Sequence, residues 1–248
     1  MKEKEEQFIK YAEPYQKYGP KIDLKVKHTV RVKELCREIA ESLNLTEEEV
    51  ELASLCGLLH DIGRFEQWKN YQTFDDLKSI DHGDLGEKIL KENKRILSYT
   101  KKNQDTVLRA VKYHNKYKVP KTLSKKNQLF VNITRDADKI DILKLFCDRV
   151  IPISTKDSCI SEDIYQAILN KQLILGKNTK TKADGVAIRL GFIFDLHFQK
   201  SYEIIQKEDY MNRLLNIALE DTQNEKLKKQ IETIRPFINQ YIEEMITC

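Results

Sequence analysis

The chain has 248 residues, enough for one large domain or for a domain with an appended subdomain. Charged residues make up 33% and apolar ones 40%, with only 8 Gly and 5 Pro, a balance that favours helices over a turn-dense β architecture. The formal net charge of +4 does not argue for a nucleic-acid partner, and no apolar run reaches membrane-spanning length, since Arg189 interrupts even the stretch from Ala187 to Phe194.

In chain order, residues 1–21 read as a short amphipathic lead ending at Gly19-Pro20. From Ile22 to Leu43 apolar residues recur at helical spacing through Leu24, Val32, Leu35 and Ile39, with His28 on the same inward stripe. Thr46-Glu47-Glu48-Glu49 is a capping box that opens a helix apolar nearly all round, through Val50, Leu52, Leu55, Leu58 and Leu59. His60-Asp61 closes that helix, and Gly63 is expected to be its C-terminal stop. Residues 64–80, with Phe65, Trp68, Tyr71 and Phe74, lack a clean period and read as a loop or short-helix excursion. Asp81-His82-Gly83-Asp84 starts a further helix. Another lies near Asn103 to Lys116 and carries His114 behind Val107, Ala110 and Val111. Asn127 to Val150 forms the next, with Asp138 in line with Thr134, Ile142 and Leu145.

After Pro152, Ser161-Glu162-Asp163 begins a helix to about Leu175, and residues 176–185 are a polar break. Two helical stretches follow, 186–220 and 221–247, the second bent at Pro236. The whole reads as an all-α bundle with a core at 22–150 and a C-terminal helical extension at 151–248. The five cysteines contain no Cys-x-x-Cys; Cys36, Cys56 and Cys147 fall in apolar helical stretches, as reduced core thiols of a cytoplasmic protein. The start of the chain has no apolar core like that of a signal peptide.

Four of the five histidines join two aspartates in one ordered set: His28, His60-Asp61, His82, His114 and Asp138. Imidazole nitrogens with carboxylate oxygens suit divalent transition metals, and helical-bundle cores assemble such sites. Any one histidine on an apolar face is more often a hydrogen-bonded core residue than a ligand. Six inward polar groups from neighbouring helices are harder to place in a core. His197 lies behind Leu190 and Ile193, belongs to no such set, and is expected in the core.

The order His, then His-Asp, then a distant Asp resembles the HD-domain superfamily of metal-dependent phosphohydrolases, over about residues 22–150. The flanking segments agree: His28-Thr29-Val30-Arg31-Val32, Leu58-Leu59-His60-Asp61-Ile62-Gly63-Arg64 and Ala137-Asp138-Lys139-Ile140-Asp141. The resemblance implies that His28, His60, Asp61 and Asp138 hold a first divalent ion, and that His82 and His114 add a second (Mn, Fe, Co, Ni, Mg or Zn). Asp61 is then the bridging carboxylate. Asp138 is preferred to Asp136 because the superfamily's Asp usually precedes Lys or Arg, as Asp138 precedes Lys139.

The implied activity is hydrolysis of a phosphate ester or anhydride of a small substrate, a nucleotide in the first instance, by metal-activated water. Asp61 and Lys139 are the catalytic candidates. Arg31 and Arg64 are candidates to hold phosphate, with a structural salt bridge the alternative for each. Trp68 and Tyr71 either stack on a base or pack the excursion down. The lysines from Lys112 to Lys126 either line a solvated loop or attract an anionic substrate. Some proteins with the same six ligands are di-iron oxygenases, and a third reading is a nucleotide-binding regulatory domain, which would predict lost ligands. No Gly-Tyr-Pro element follows the domain, which argues against the cyclic-di-GMP branch.

Overall fold

The structure is a computed structural model and describes residues 1–93, 102–220 and 222–247. No strand occurs among the described residues. By its contacts the chain divides into two compact units, Met1–Asp138 and Lys139–Cys248.

The first unit opens with α1 (Lys2–Ala12) and a 3-10 turn (Glu13–Tyr18). Phe8 and Ala12 of α1 are fully buried, so the lead is part of this unit's core. Gly19, at φ 104°, turns the chain into α2 (Pro20–Ser42), where Pro20 supplies a preset φ at a position that needs no N–H. The buried face of α2 carries Ile22, His28, Val32, Cys36 and Ile39, while Leu24 and Leu35 lie at its border.

Helix α3 (Glu47–Leu59) begins with the expected capping box, Thr46 and Glu49 each satisfying the other's backbone N–H, which contributes on the order of 1 kcal/mol. Its residues from Leu52 to Leu59 are all buried. Gly57 lets α2 come close: a Cβ there would lie 2.8 Å from Cys36 Sγ and 2.9 Å from the Val32 carbonyl oxygen.

Gly63 is not the C-terminal stop of α3. It is the first residue of α4 (Gly63–Tyr71), and His60, Asp61 and Ile62 form the corner between the two helices. A Cβ on Gly63 would collide with the carbonyl oxygen of His82 and lie 2.8 Å from Gly86 N, so close approach of α5 is what requires glycine here. The segment after Gly63 is more regular than its sequence suggests, a helix followed by a 3-10 turn (Asp76–Lys78). Helix α5 (His82–Glu92) is capped by Asp81, whose carboxylate accepts from Asp84 N. Then come α6 (Gln104–Tyr113) and α7 (Lys125–Cys147).

In the second unit, α8 (Glu162–Leu169) stops six residues short of the expected end, because Asn170 caps it and Lys171 enters the left-handed region at φ 56°. The expected helix over 186–220 is three helices and a 3-10 turn: α9 (Asp184–Leu190), the turn Gly191–Asp195, α10 (Gln199–Lys207) and α11 (Tyr210–Glu220). Asp209, at φ 52°, makes the last break. Helix α12 (Glu225–Thr247) runs through Pro236; Asp221, where that stretch was expected to begin, lies outside the described residues, as does Cys248. His197 is exposed, not in the core, because Leu196–Phe198 is an irregular connection between the 3-10 turn and α10. Cys36, Cys56 and Cys147 are buried free thiols. No helix of the described residues is long and apolar enough to cross a membrane.

Candidate metal centre

The six expected ligands converge in the first unit. His28 comes from the middle of α2 and Asp138 from α7, but the other four sit at helix ends. His60 and Asp61 occupy the α3–α4 corner, His82 is the first residue of α5, and His114 caps the C-terminus of α6. That placement fixes the imidazoles. The last carbonyls of a helix have no intrahelical donor, and His60 Nδ1 donates to the Gly57 carbonyl at 2.7 Å while His114 Nδ1 donates to the Val111 carbonyl at 2.8 Å. His82 Nδ1 donates to Asp76 Oδ2 at 2.6 Å. With each Nδ1 bonded outward, the Nε2 atoms of all three rings point inward.

Asp61 joins two groups. Its Oδ2 lies 3.5 Å from His28 Nε2 and 3.6 Å from His60 Nε2, and its Oδ1 lies 3.4 Å from His82 Nε2 and 3.7 Å from His114 Nε2. Asp138 Oδ1 completes the first group, 3.2 Å from His28 Nε2 and 3.6 Å from His60 Nε2. The four imidazoles are at most 4% exposed.

Among known proteins, the HD domain family matches residues 26–143, a span that contains all six residues. The chain carries an HD domain. No curated protein and no solved structure matches the chain. HD domains are in general metal-dependent hydrolases and bind divalent metals.

The donor set of this HD domain fits such ions. Two nitrogens each about 2.1 Å from one ion stand roughly 3.0 Å apart at octahedral angles and 3.4 Å apart at tetrahedral ones. His82 Nε2 and His114 Nε2 are 2.9 Å apart, and His28 Nε2 and His60 Nε2 are 3.3 Å apart. Two neutral imidazole lone pairs at 2.9 Å repel, and a cation between them removes the repulsion.

The charge states agree. Burial acts to raise the Asp61 pKa, but Lys25, His60, His114 and Arg64 outweigh it and hold the carboxyl well below its usual range. Burial likewise opposes ionisation of Asp138, and the favourable interaction with the adjoining His28 and His60 side chains outweighs it, holding the carboxyl well below its usual range. Burial, with the Arg64 charge, lowers His82 to about 4, and burial lowers His114 as well. Anionic carboxylates and neutral imidazoles are the forms that ligate.

Of the other expected residues, Arg64 is heavily engaged. Its Nη1 donates to Gln67 Oε1, the Phe74 carbonyl and Asp76 Oδ1, and its Nε lies 3.4 Å from Asp61 Oδ1. Arg31 is half-buried, one turn beyond His28. Lys139 Nζ pairs with Asp195 at 2.8 Å within the second unit. Trp68 is buried, its indole N–H donating to the Tyr18 carbonyl and its ring against Phe74, whereas Tyr71 is half exposed. Much of the local basic excess is neutralised on the spot, Lys112 by Glu87 at 2.6 Å and Lys116 by Asp81 and Asp84.

Three further residues support the site without standing out in the sequence pattern. Lys25 Nζ sits 2.7 Å from Asp61 Oδ2; its spacing of one turn before His28 was the available signal. Asp76 orients both His82 and Arg64 from a 3-10 turn, where no period marks it. Arg135 Nη1 donates to the carbonyls of Tyr113, His114 and Lys116, pinning the end of α6, and lies one turn before Asp138.

Proposed function

We propose that the HD domain hydrolyses a phosphate ester or anhydride of a small molecule, with nucleotides the first class to test. The division of Asp61 carries this reading: each of its oxygens faces a different pair of imidazoles, the arrangement expected of a carboxylate shared by two ions. His28, His60, Asp138 and Asp61 Oδ2 would hold one, and His82, His114 and Asp61 Oδ1 the other. Divalent ions there supply Lewis acidity and a source of hydroxide near neutral pH.

The remaining work falls to the chain's own side chains. The helix-end carbonyls and Asp76 hold three rings in one tautomer, so little reorganises when a ligand arrives. Lys25 and Arg64 place positive charge on either oxygen of Asp61, where they would also meet a phosphoryl group; Arg31 is assigned to the same task. Lys139 is already balanced by Asp195, and we place it behind Lys25 as a phosphate contact.

The test is turnover without oxygen. Protein loaded with Mn or Co under strictly anaerobic conditions should release phosphate, or cleave a phosphodiester or phosphoanhydride, in a screen led by nucleotides. Hydrolysis needs a Lewis acid but no redox change. Turnover only with iron and with oxygen consumption would instead assign the same ligands to a di-iron oxygenase.

A further inference from the structure

The second unit holds positive charge that no carboxylate among the described residues balances. Arg189, in α9, is half-buried; its Nη1 donates to the Gly185 carbonyl at 2.7 Å and its guanidinium lies 4.5 Å from the centre of the Phe146 ring. Its Nε is buried without a hydrogen-bond partner. Among the described residues no acidic group pairs with it, whereas buried charges in proteins are ordinarily paired. Burial alone lowers its pKa.

Arg189 lines a cavity of about 300 Å³ together with Lys156 and Lys182. Neither lysine makes an ion pair among the described residues. Two aspartates lie within two residues of them in sequence, yet the contacts of both run elsewhere. Asp157 Oδ1 accepts from Gln223 N, and the buried Asp184 accepts from the N–H groups of Ser161, Lys180 and Thr181 and from the Ser161 hydroxyl. Lys156 lies in the left-handed region at φ 44°, an uncommon conformation for a residue with a side chain. The remaining wall is mainly apolar, from Phe146, Pro152, Ile153 and Val186, with Ser154 and Gly185 completing it.

We propose that this cavity, within 139–248 and apart from the metal centre, binds a small phosphate-bearing anion carrying at least two negative charges, through Arg189, Lys156 and Lys182. A guanidinium presents a planar fork of donors that matches phosphate oxygens, and two flexible ammonium groups at the rim add charge without fixing orientation. The volume stands at the lower end of ligand-binding cavities, which suits a compact phosphorylated molecule rather than a polymer.

The probe is methylene diphosphonate, titrated calorimetrically into full-length protein in the presence of a chelator. Wild type should bind it at one site per chain. A Lys156→Gln, Lys182→Gln, Arg189→Met triple variant should weaken binding by roughly tenfold or more for each lost charge-assisted contact. His60→Ala, which alters only the metal centre, should bind as wild type does. The Arg189→Met single variant adds an independent readout: without ligand it should melt no lower than wild type, because it removes a partly desolvated charge with no acidic partner among the described residues, and it should lose the rise in melting temperature that the diphosphonate gives. Absence of binding to wild type at millimolar probe, or binding abolished by His60→Ala and kept by the triple variant, overturns the proposal. So does an Arg189→Met protein that melts lower than wild type yet keeps the full ligand-induced rise. Response to phosphatidic acid vesicles but not to the diphosphonate would overturn the choice of a small soluble ligand.

Discussion

Lys25 Nζ lies 2.7 Å from Asp61 Oδ2, so an ammonium group occupies the carboxylate oxygen that also faces His28 and His60. A cation at that point is attracted by the charge that would hold a metal, and it is well placed to meet an anion arriving at the loaded centre. Lys25→Met should therefore leave metal content unchanged and weaken binding of inorganic phosphate to metal-loaded protein by roughly tenfold. Metal analysis with phosphate calorimetry reads both. Loss of metal with the fold intact would make Lys25 a structural support instead.

The two imidazole groups around Asp61 set the stoichiometry. Transition-metal-loaded protein should carry close to two ions per chain, and a His82→Ala, His114→Ala double variant about one, or none if the two sites fill together. An unchanged content in that variant leaves only the site of His28, His60, Asp61 and Asp138.

Asp61 touches both groups, so its removal should cost more than removal of any one histidine. The expected result for Asp61→Ala is loss of both ions and of hydrolysis, with helical circular dichroism retained. A folded variant that keeps its metal and its rate would falsify the bridging role.

Gly63 links stability to the site, because a methyl group there meets the backbone of His82 and Gly86. Gly63→Ala should destabilise the protein by about 1–3 kcal/mol, the usual cost of overpacking a tight contact. The same shift displaces His82, so metal held by His82 and His114 should be lost before metal held by His28, His60 and Asp138. Denaturant titration and metal analysis check the two parts separately.

The pH dependence follows from His82, whose pKa falls from 6.5 to about 4 through burial and the neighbouring Arg64 charge. A group with a depressed folded pKa stabilises the fold above its unfolded pKa, and the contribution is lost as pH falls toward the folded value. Metal-stripped protein should therefore lose melting temperature between about pH 6.5 and 4, and His82→Asn should lose less over that window. Asp61 and Asp138, held below the ordinary carboxylate value of 3.8, act only at more acidic pH. Parallel melting curves for wild type and variant would count against His82 as the titrating group.

The sequence by itself determined the helical class, the capping box at Thr46, the helix start at Asp81 and the six inward polar side chains that the fold brings together, because each is written in local spacing or in residue chemistry. Periodicity decides which face of a helix is buried, and scarce histidines advertise themselves. Tertiary structure alone decided the role of Gly63, the exposure of His197 and the breaks within 186–220, since each depends on what packs against the segment and not on the segment's own pattern. It also decided which oxygen of Asp61 faces which imidazoles, and that Lys25 and Asp76 belong beside them. Those pairings join residues far apart in the chain, and only folding brings their charges within a few ångströms, where electrostatic energy becomes large enough to matter.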